Sequence, residues 1–142
     1  MRFTSILLVV LAAGCGGGTH EALAVDPDGR AVLRDVYDGH LDRRWSCGSL
    51  RAAYERLPVG GPVYSPIPAL IGKAAGTACD EAVRELRRGT TRTRVASLLG
   101  RPDRRARCWL FRWPPGTDSS QDGARICFDA SRVASVQVAV HG

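Results

Sequence analysis

Cys108 and Cys127 each fall inside an alternating apolar stretch, and together they constrain this chain more than any other pair of residues. In residues 107–113, Trp109, Phe111 and Trp113 alternate with Cys108, Leu110 and Arg112. In residues 124–129, Ala124, Ile126 and Phe128 alternate with Arg125 and Cys127. A period of two is that of a β-strand with one buried face. With Cys108 opposite Cys127, antiparallel pairing sets Trp109 against Ile126 and Phe111 against Ala124, so every large apolar residue shares one side. Slipping the register by one residue would turn that set to solvent. The cross-strand disulfide and the core therefore require the same pairing. Such a bridge closes a loop of about 20 residues and stabilises by about 3 kcal/mol in the chain-entropy model.

A disulfide presupposes export, and the N-terminus carries an export signal. Arg2 precedes an apolar run over residues 3–13, which at about 11 residues is too short to span a bilayer. Residues 1–14 read as a signal peptide. Leu11-Ala12-Ala13-Gly14-Cys15 resembles the bacterial lipoprotein signal, which makes Cys15 a lipid anchor and residues 15–25, opening Gly16-Gly17-Gly18-Thr19, a flexible tether. The alternative is secretory cleavage at Ala22-Leu23-Ala24. Either route exports the chain and leaves Cys47, Cys79, Cys108 and Cys127 for two disulfides out of three possible pairings. With Cys108 joined to Cys127, elimination joins Cys47 to Cys79. No C-x-x-C occurs and His20, His40 and His141 are scattered, so neither a metal site nor a cofactor is expected.

Charge is unevenly placed. Residues 15–79 hold seven basic and seven acidic side chains, against twelve and seven in residues 80–142. Nine of those twelve arginines fall in residues 84–107. Arg84, Arg87, Arg88, Arg92, Arg94, Arg104 and Arg105 are the candidate surface for a partner. Outside the cytoplasm a cationic face meets anionic phospholipid headgroups or an acidic protein surface rather than nucleic acid. A solvated helix face in an arginine-biased chain is the plain alternative.

Residues 26–76 read as a helical N-terminal region with a Pro/Gly-rich connection. Asp26-Pro27-Asp28-Gly29 lacks the spacing of a calcium loop and suits a helix start, with Asp26 as cap. Leu33, Val36, Tyr37 and Leu41 then fall at helical spacing, predicting three turns weakened at Gly39. Leu50, Ala53, Tyr54 and Leu57 mark a second helix stopped by Pro58. Between them, residues 38–47 read as a polar junction with Trp45 packed inward. Pro58 to Pro68 is irregular, partly extended chain.

Residues 77–142 predict an αα-hairpin followed by three strands. Thr77 with Asp80 imitates a capping box, Cys79, Val83 and Leu86 form the buried face, and Gly89 gives a left-handed stop. Thr91 caps a second helix with the stripe Val95, Leu98 and Leu99, ended by Gly100 and Pro102. After the two alternating strands, residues 133–140 offer Val136, Val138 and Val140 on one face. A three-residue turn, Ala130, Ser131 and Arg132, sets them beside Ile126 and Phe128. The expected fold is α+β: an αα-hairpin packed on a three-stranded antiparallel meander, preceded by an N-terminal helical region.

Leu86-x-x-Gly89-x-Thr91, Val95, Leu98-Leu99-Gly100-x-Pro102, Cys108-Trp109-Leu110-Phe111 and Ile126-x-Phe128-Asp129 with Val133 together resemble the BamE (SmpA/OmlA) family of bacterial envelope lipoproteins. More loosely, the order of elements is similar to the β-lactamase inhibitory protein module. The likeness covers about residues 78–138. Thr90 stands where the BamE family commonly has Met, and residues 26–76 have no counterpart there. The resemblance implies a non-enzymatic lipoprotein near an outer membrane that binds another envelope protein, with anionic phospholipid as a further ligand. Two other classes compete: a secreted inhibitor-like binder using the exposed side of the sheet and the loop after Trp113, and a small enzyme built on Asp35, Asp38, His40 or Asp42.

Overall fold

The computed structural model describes residues 22–58, 65–115, 119 and 121–140. The signal segment, Cys15, the start of the tether, most of the Pro/Gly-rich connection and His141 lie outside the described residues.

Helix α1 (Arg30–Asp35) is a short turn-and-a-half. Asp26 does stabilise its start, accepting from the Ala31 N–H at 2.6 Å and the Asp28 N–H at 3.2 Å. The helix stops well before the expected three turns. Val32 and Val36 are fully buried, whereas Tyr37 is 86 % exposed and belongs to no apolar face. Gly39, at φ +91°, turns the chain in a conformation that L-residues avoid. Helix α2 (Cys47–Glu55) is capped by Ser46, whose Oγ accepts from the Ser49 N–H at 3.1 Å.

The largest departure from expectation is α3 (Ile67–Glu85). It starts at Pro66 and Pro68 rather than at Thr77, so Thr77 and Asp80 lie inside a continuous helix and no capping box exists there. Residues 69–76 are rich in Ala and Gly, and burial of Ile71 and Ala75 against α1 and α2 decides their conformation. Gly72 and Gly76 lower the intrinsic helix propensity, so it is the packing of the buried face that keeps the helix continuous. Its first half joins the cluster Val32, Val36, Trp45, Leu50, Ile71 and Ala75. Its second half presents Cys79, Ala82 and Val83 to the cluster beneath the sheet, and Ala78 touches both.

Helix α3 ends with Leu86 in extended backbone. Gly89, at φ +92°, then makes the turn and donates its N–H to the Val133 carbonyl at 2.8 Å. Helix α4 (Arg92–Leu99) follows, Thr91 Oγ1 accepting from the Arg94 N–H at 3.2 Å. Gly100, at φ +76°, and Pro102 release the chain into the sheet.

The sheet has four antiparallel strands in sequence order, not three: β1 (Arg104–Arg105), β2 (Cys108–Arg112), β3 (Gln121–Asp129) and β4 (Arg132–Val140). β1 has no alternation to announce it. It pairs because the tight turn after it lays Arg104 against Leu110 and Arg105 against Trp109. Between β2 and β3 the register is the one the cysteines require, with Cys108 opposite Cys127, Trp109 opposite Ile126 and Phe111 opposite Ala124. Both disulfides form, Cys47–Cys79 and Cys108–Cys127.

The last hairpin reaches its expected register by a different route. Asp129 pairs with Arg132, so only Ala130 and Ser131 form the turn, Ala130 at φ +52°. A bulge between Cys127 and Phe128 then shifts the ladder by one residue, and Ile126 still lies opposite Val136. An extra residue placed in a strand does what a longer turn would have done.

Candidate functional site

Strand alternation gives the sheet two faces of different character. Phe111, Ile126, Phe128 and Val133 lie under α3 and α4 and are nearly inaccessible. The opposite face carries Leu110, Arg112, Arg125, Gln137 and the half-buried disulfide Cys108–Cys127. No described helix covers it. Along one cross-strand row Arg112 stands opposite Gly123, and Gly123 opposite Ala139. The two small residues leave a hollow of about 710 Å³ bounded by Leu110, Arg112, Pro114, Pro115, Arg125 and Gln137. Gly123 is required there, because a Cβ would lie 2.1 Å from the Phe111 carbonyl oxygen.

Two shallower depressions adjoin it, one beside Arg104 and Arg107, the other beside Cys127 and Asp129, and Arg125 borders all three. Arg104, Arg107, Arg112 and Arg125 make no side-chain ion pair or hydrogen bond among the described residues. Among the described residues, Asp122 and Asp129 are the carboxylates that line these depressions.

The seven arginines read from the sequence are distributed rather than gathered. Arg84 and Arg88 face solvent. The Arg87 guanidinium donates to the Arg84 and Leu86 carbonyls, closing the end of α3. Arg94 pairs with Glu85 at 3.3 Å on an exposed helix surface, where such a pair contributes little. Arg92 lies over Phe128 at 4.9 Å and Trp109 at 5.8 Å, and Arg105 over Trp109 at 5.3 Å. These two are cation–π partners of the core's edge. Arg104 alone, opposite Leu110, belongs to the open face.

Sequence reasoning missed the one buried cation among the described residues. Arg51 is 4 % exposed. Its Nη1 donates to the Leu99 carbonyl at 2.7 Å and the Arg101 carbonyl at 2.9 Å, its Nε to the Arg112 carbonyl at 2.9 Å, and its Nη2 to Asp103 at 2.8 Å. Asp103 also accepts from the Arg112 N–H at 2.7 Å. Burial lowers the Arg51 pKa from its ordinary value, outweighing the attraction of Asp103 and Glu55. This guanidinium ties α2 to the end of α4 and to β2, and so holds the N-terminal region to the back of the sheet. Nothing in the local sequence distinguishes it from its neighbours.

Asp80, expected as a helix-start residue, instead anchors the loop after β2. Its carboxylate accepts from Trp113 Nε1 at 3.3 Å and Ser119 Oγ at 2.8 Å. Asp35 similarly accepts from Trp45 Nε1 at 2.6 Å, holding that indole inward. His40 and Asp38 lie 4.0 Å apart and are largely exposed. Among the described residues no three His, Cys, Asp or Glu side chains come together as a metal site, and no helix is long and apolar enough to cross a membrane. A second groove of about 530 Å³ runs along α3 over Leu41, Trp45, Leu70 and Ala74, with Arg44 and Glu81 paired at 3.0 Å on its rim.

No family model, curated protein or solved structure matches the chain.

Proposed function

We propose that the protein is a non-enzymatic cell-envelope lipoprotein of BamE-like type, tethered to a membrane through Cys15 and binding another envelope protein through the open face of its sheet. The two disulfides belong to an oxidising, extracytoplasmic compartment. The observation that carries the reading is the one-sided sheet: one face buried under α3 and α4, the other uncovered and recessed at Gly123 and Ala139. Apolar recesses with a few convergent polar groups are binding surfaces by default. Pro114 and Pro115 at the rim favour a second reading, a secreted inhibitor-like binder using this face and the adjoining loop.

Mass spectrometry of the mature protein from its own host separates the two. A diacylated Cys15 at the N-terminus is the expected result, and a chain beginning at Val25 refutes the anchor. Photo-crosslinking in intact cells then tests the face. A crosslinker replacing Leu110 should give a discrete protein adduct that one replacing Ser97, exposed on α4, does not. Equal labelling from both positions refutes the assignment.

A further inference from the structure

The geometry points to an acidic protein segment, carrying a bulky apolar side chain beside its carboxylates, as the occupant of the open face. This rests on the reading of that face as a protein-binding surface, and names the partner's chemistry.

Arg104, Arg107, Arg112 and Arg125 line one continuous set of depressions, where Asp122 and Asp129 are the only carboxylates among the described residues. An arginine fork left without an internal partner matches a carboxylate in a two-point contact. Arg112 and Arg125 border a recess instead of crowning a bulge, and Arg104 and Arg107 line the depression beside it. At its floor the row Arg112, Gly123, Ala139 is empty of side-chain bulk on two of its three strands, and Leu110, Pro114 and Pro115 give it apolar walls. A space of about 710 Å³ takes a side chain that projects into it. A bilayer surface presents no such projection and is better met by side chains that stand out from the protein. An extended acidic segment with Phe, Trp or Leu among its carboxylates satisfies both the charge and the hollow. Arg84 and Arg88, at the far end of α3, lie outside this surface and serve as a control.

The experiment uses the full exported chain with its disulfides intact. Immobilised peptides alternating Asp or Glu with Phe, Trp or Leu are compared with peptides in which Lys or Ser replaces the acids, and with vesicles of phosphatidylglycerol. The acidic apolar peptides should be retained and the Lys and Ser peptides not. Arg112→Glu with Arg125→Glu, both exposed positions, should weaken retention by about tenfold or more, since each reversal removes one close charge pair and adds one repulsion. Ala139→Trp fills the recess without changing charge and should weaken binding comparably. Arg84→Glu with Arg88→Glu should leave it unchanged. Absence of retention, indifference to peptide charge, or equal loss in the Arg84/Arg88 variant overturns the proposal. Vesicle binding that depends on Arg112 and Arg125, without peptide binding, overturns it in favour of a lipid surface. A module that binds a partner of other chemistry would still crosslink from Leu110 while ignoring these peptides, so the two readings fail separately.

Discussion

Arg51→Met should destabilise the fold strongly. Met has nearly the same length and keeps the apolar stem packed, but leaves the Leu99, Arg101 and Arg112 carbonyls without their donor and Asp103 Oδ2 with the Arg112 N–H in place of two donors. Removing one partner of a buried ion pair costs about 3 to 5 kcal/mol. The Asp103 side chain is 34 % exposed and recovers part of its solvation, so the lower half of that range, about 3 kcal/mol, is the expected loss. For the roughly 110 residues that unfold together this lowers Tm by about 10 to 15 °C. Circular-dichroism melts and urea titrations with both disulfides intact read it directly. Asp103→Asn should cost less, about 1 kcal/mol, because three of the four Arg51 hydrogen bonds go to carbonyls that remain. A loss below about 1 kcal/mol for Arg51→Met, or a larger loss for Asp103→Asn, would refute the conclusion that this guanidinium holds α2 to the sheet. The three carbonyls provide most of the offset to its desolvation, and Arg51→Lys, lacking the fork, should fall between the two.

Three further outcomes are expected. Replacing Cys108 and Cys127 together by Ser should lower stability by about 3 kcal/mol and replacing Cys47 and Cys79 by about half a kcal/mol more, since the second bridge spans 32 residues against 19; urea titration of each pair tests the order. Gly48→Ala should destabilise by about 1 to 3 kcal/mol, because a Cβ would stand 2.5 Å from the Gly100 backbone where α2 crosses the end of α4; a melt unchanged from the parent would contradict that crossing. Asp80→Ala removes the acceptor of Trp113 Nε1 and Ser119 Oγ, so limited proteolysis should cut within residues 114–122 faster, with a stability loss of about 1 to 2 kcal/mol.

What could be read from the sequence was local or was pinned by covalent arithmetic. The cysteines and the aromatic alternation agree on one register, so β2 and β3 follow from residues 108–128 alone. Thr91, Gly100 and Pro102 delimit α4 by capping and backbone preference, which act within a few residues. The reading failed where the deciding energy came from distant residues. Residues 67–76 carry no strong helix signal, and become helix because α1 and α2 bury Ile71 and Ala75. Tyr37 fits a helical stripe that ends at Asp35. The hairpin after Asp129 keeps its register by a bulge, a choice between near-equal backbone solutions that side-chain pattern does not distinguish.

The same division holds for the site. That the arginines crowd into residues 84–107 is a sequence fact; which of them reach the open face is not. Strand pairing sends Arg104 one way and Arg105 the other, onto Trp109. Arg112 and Arg125, outside the expected set, reach that face through the β2–β3 register, and the hollow between them exists because Gly123 and Ala139 meet across two strands. The sequence by itself determined the disulfide pairing and the alternation that separates a core face from a bare one. Only the tertiary structure decided that Arg51 is buried and that Arg112 and Arg125 border a recess, because burial and convergence are set by residues far apart in the chain.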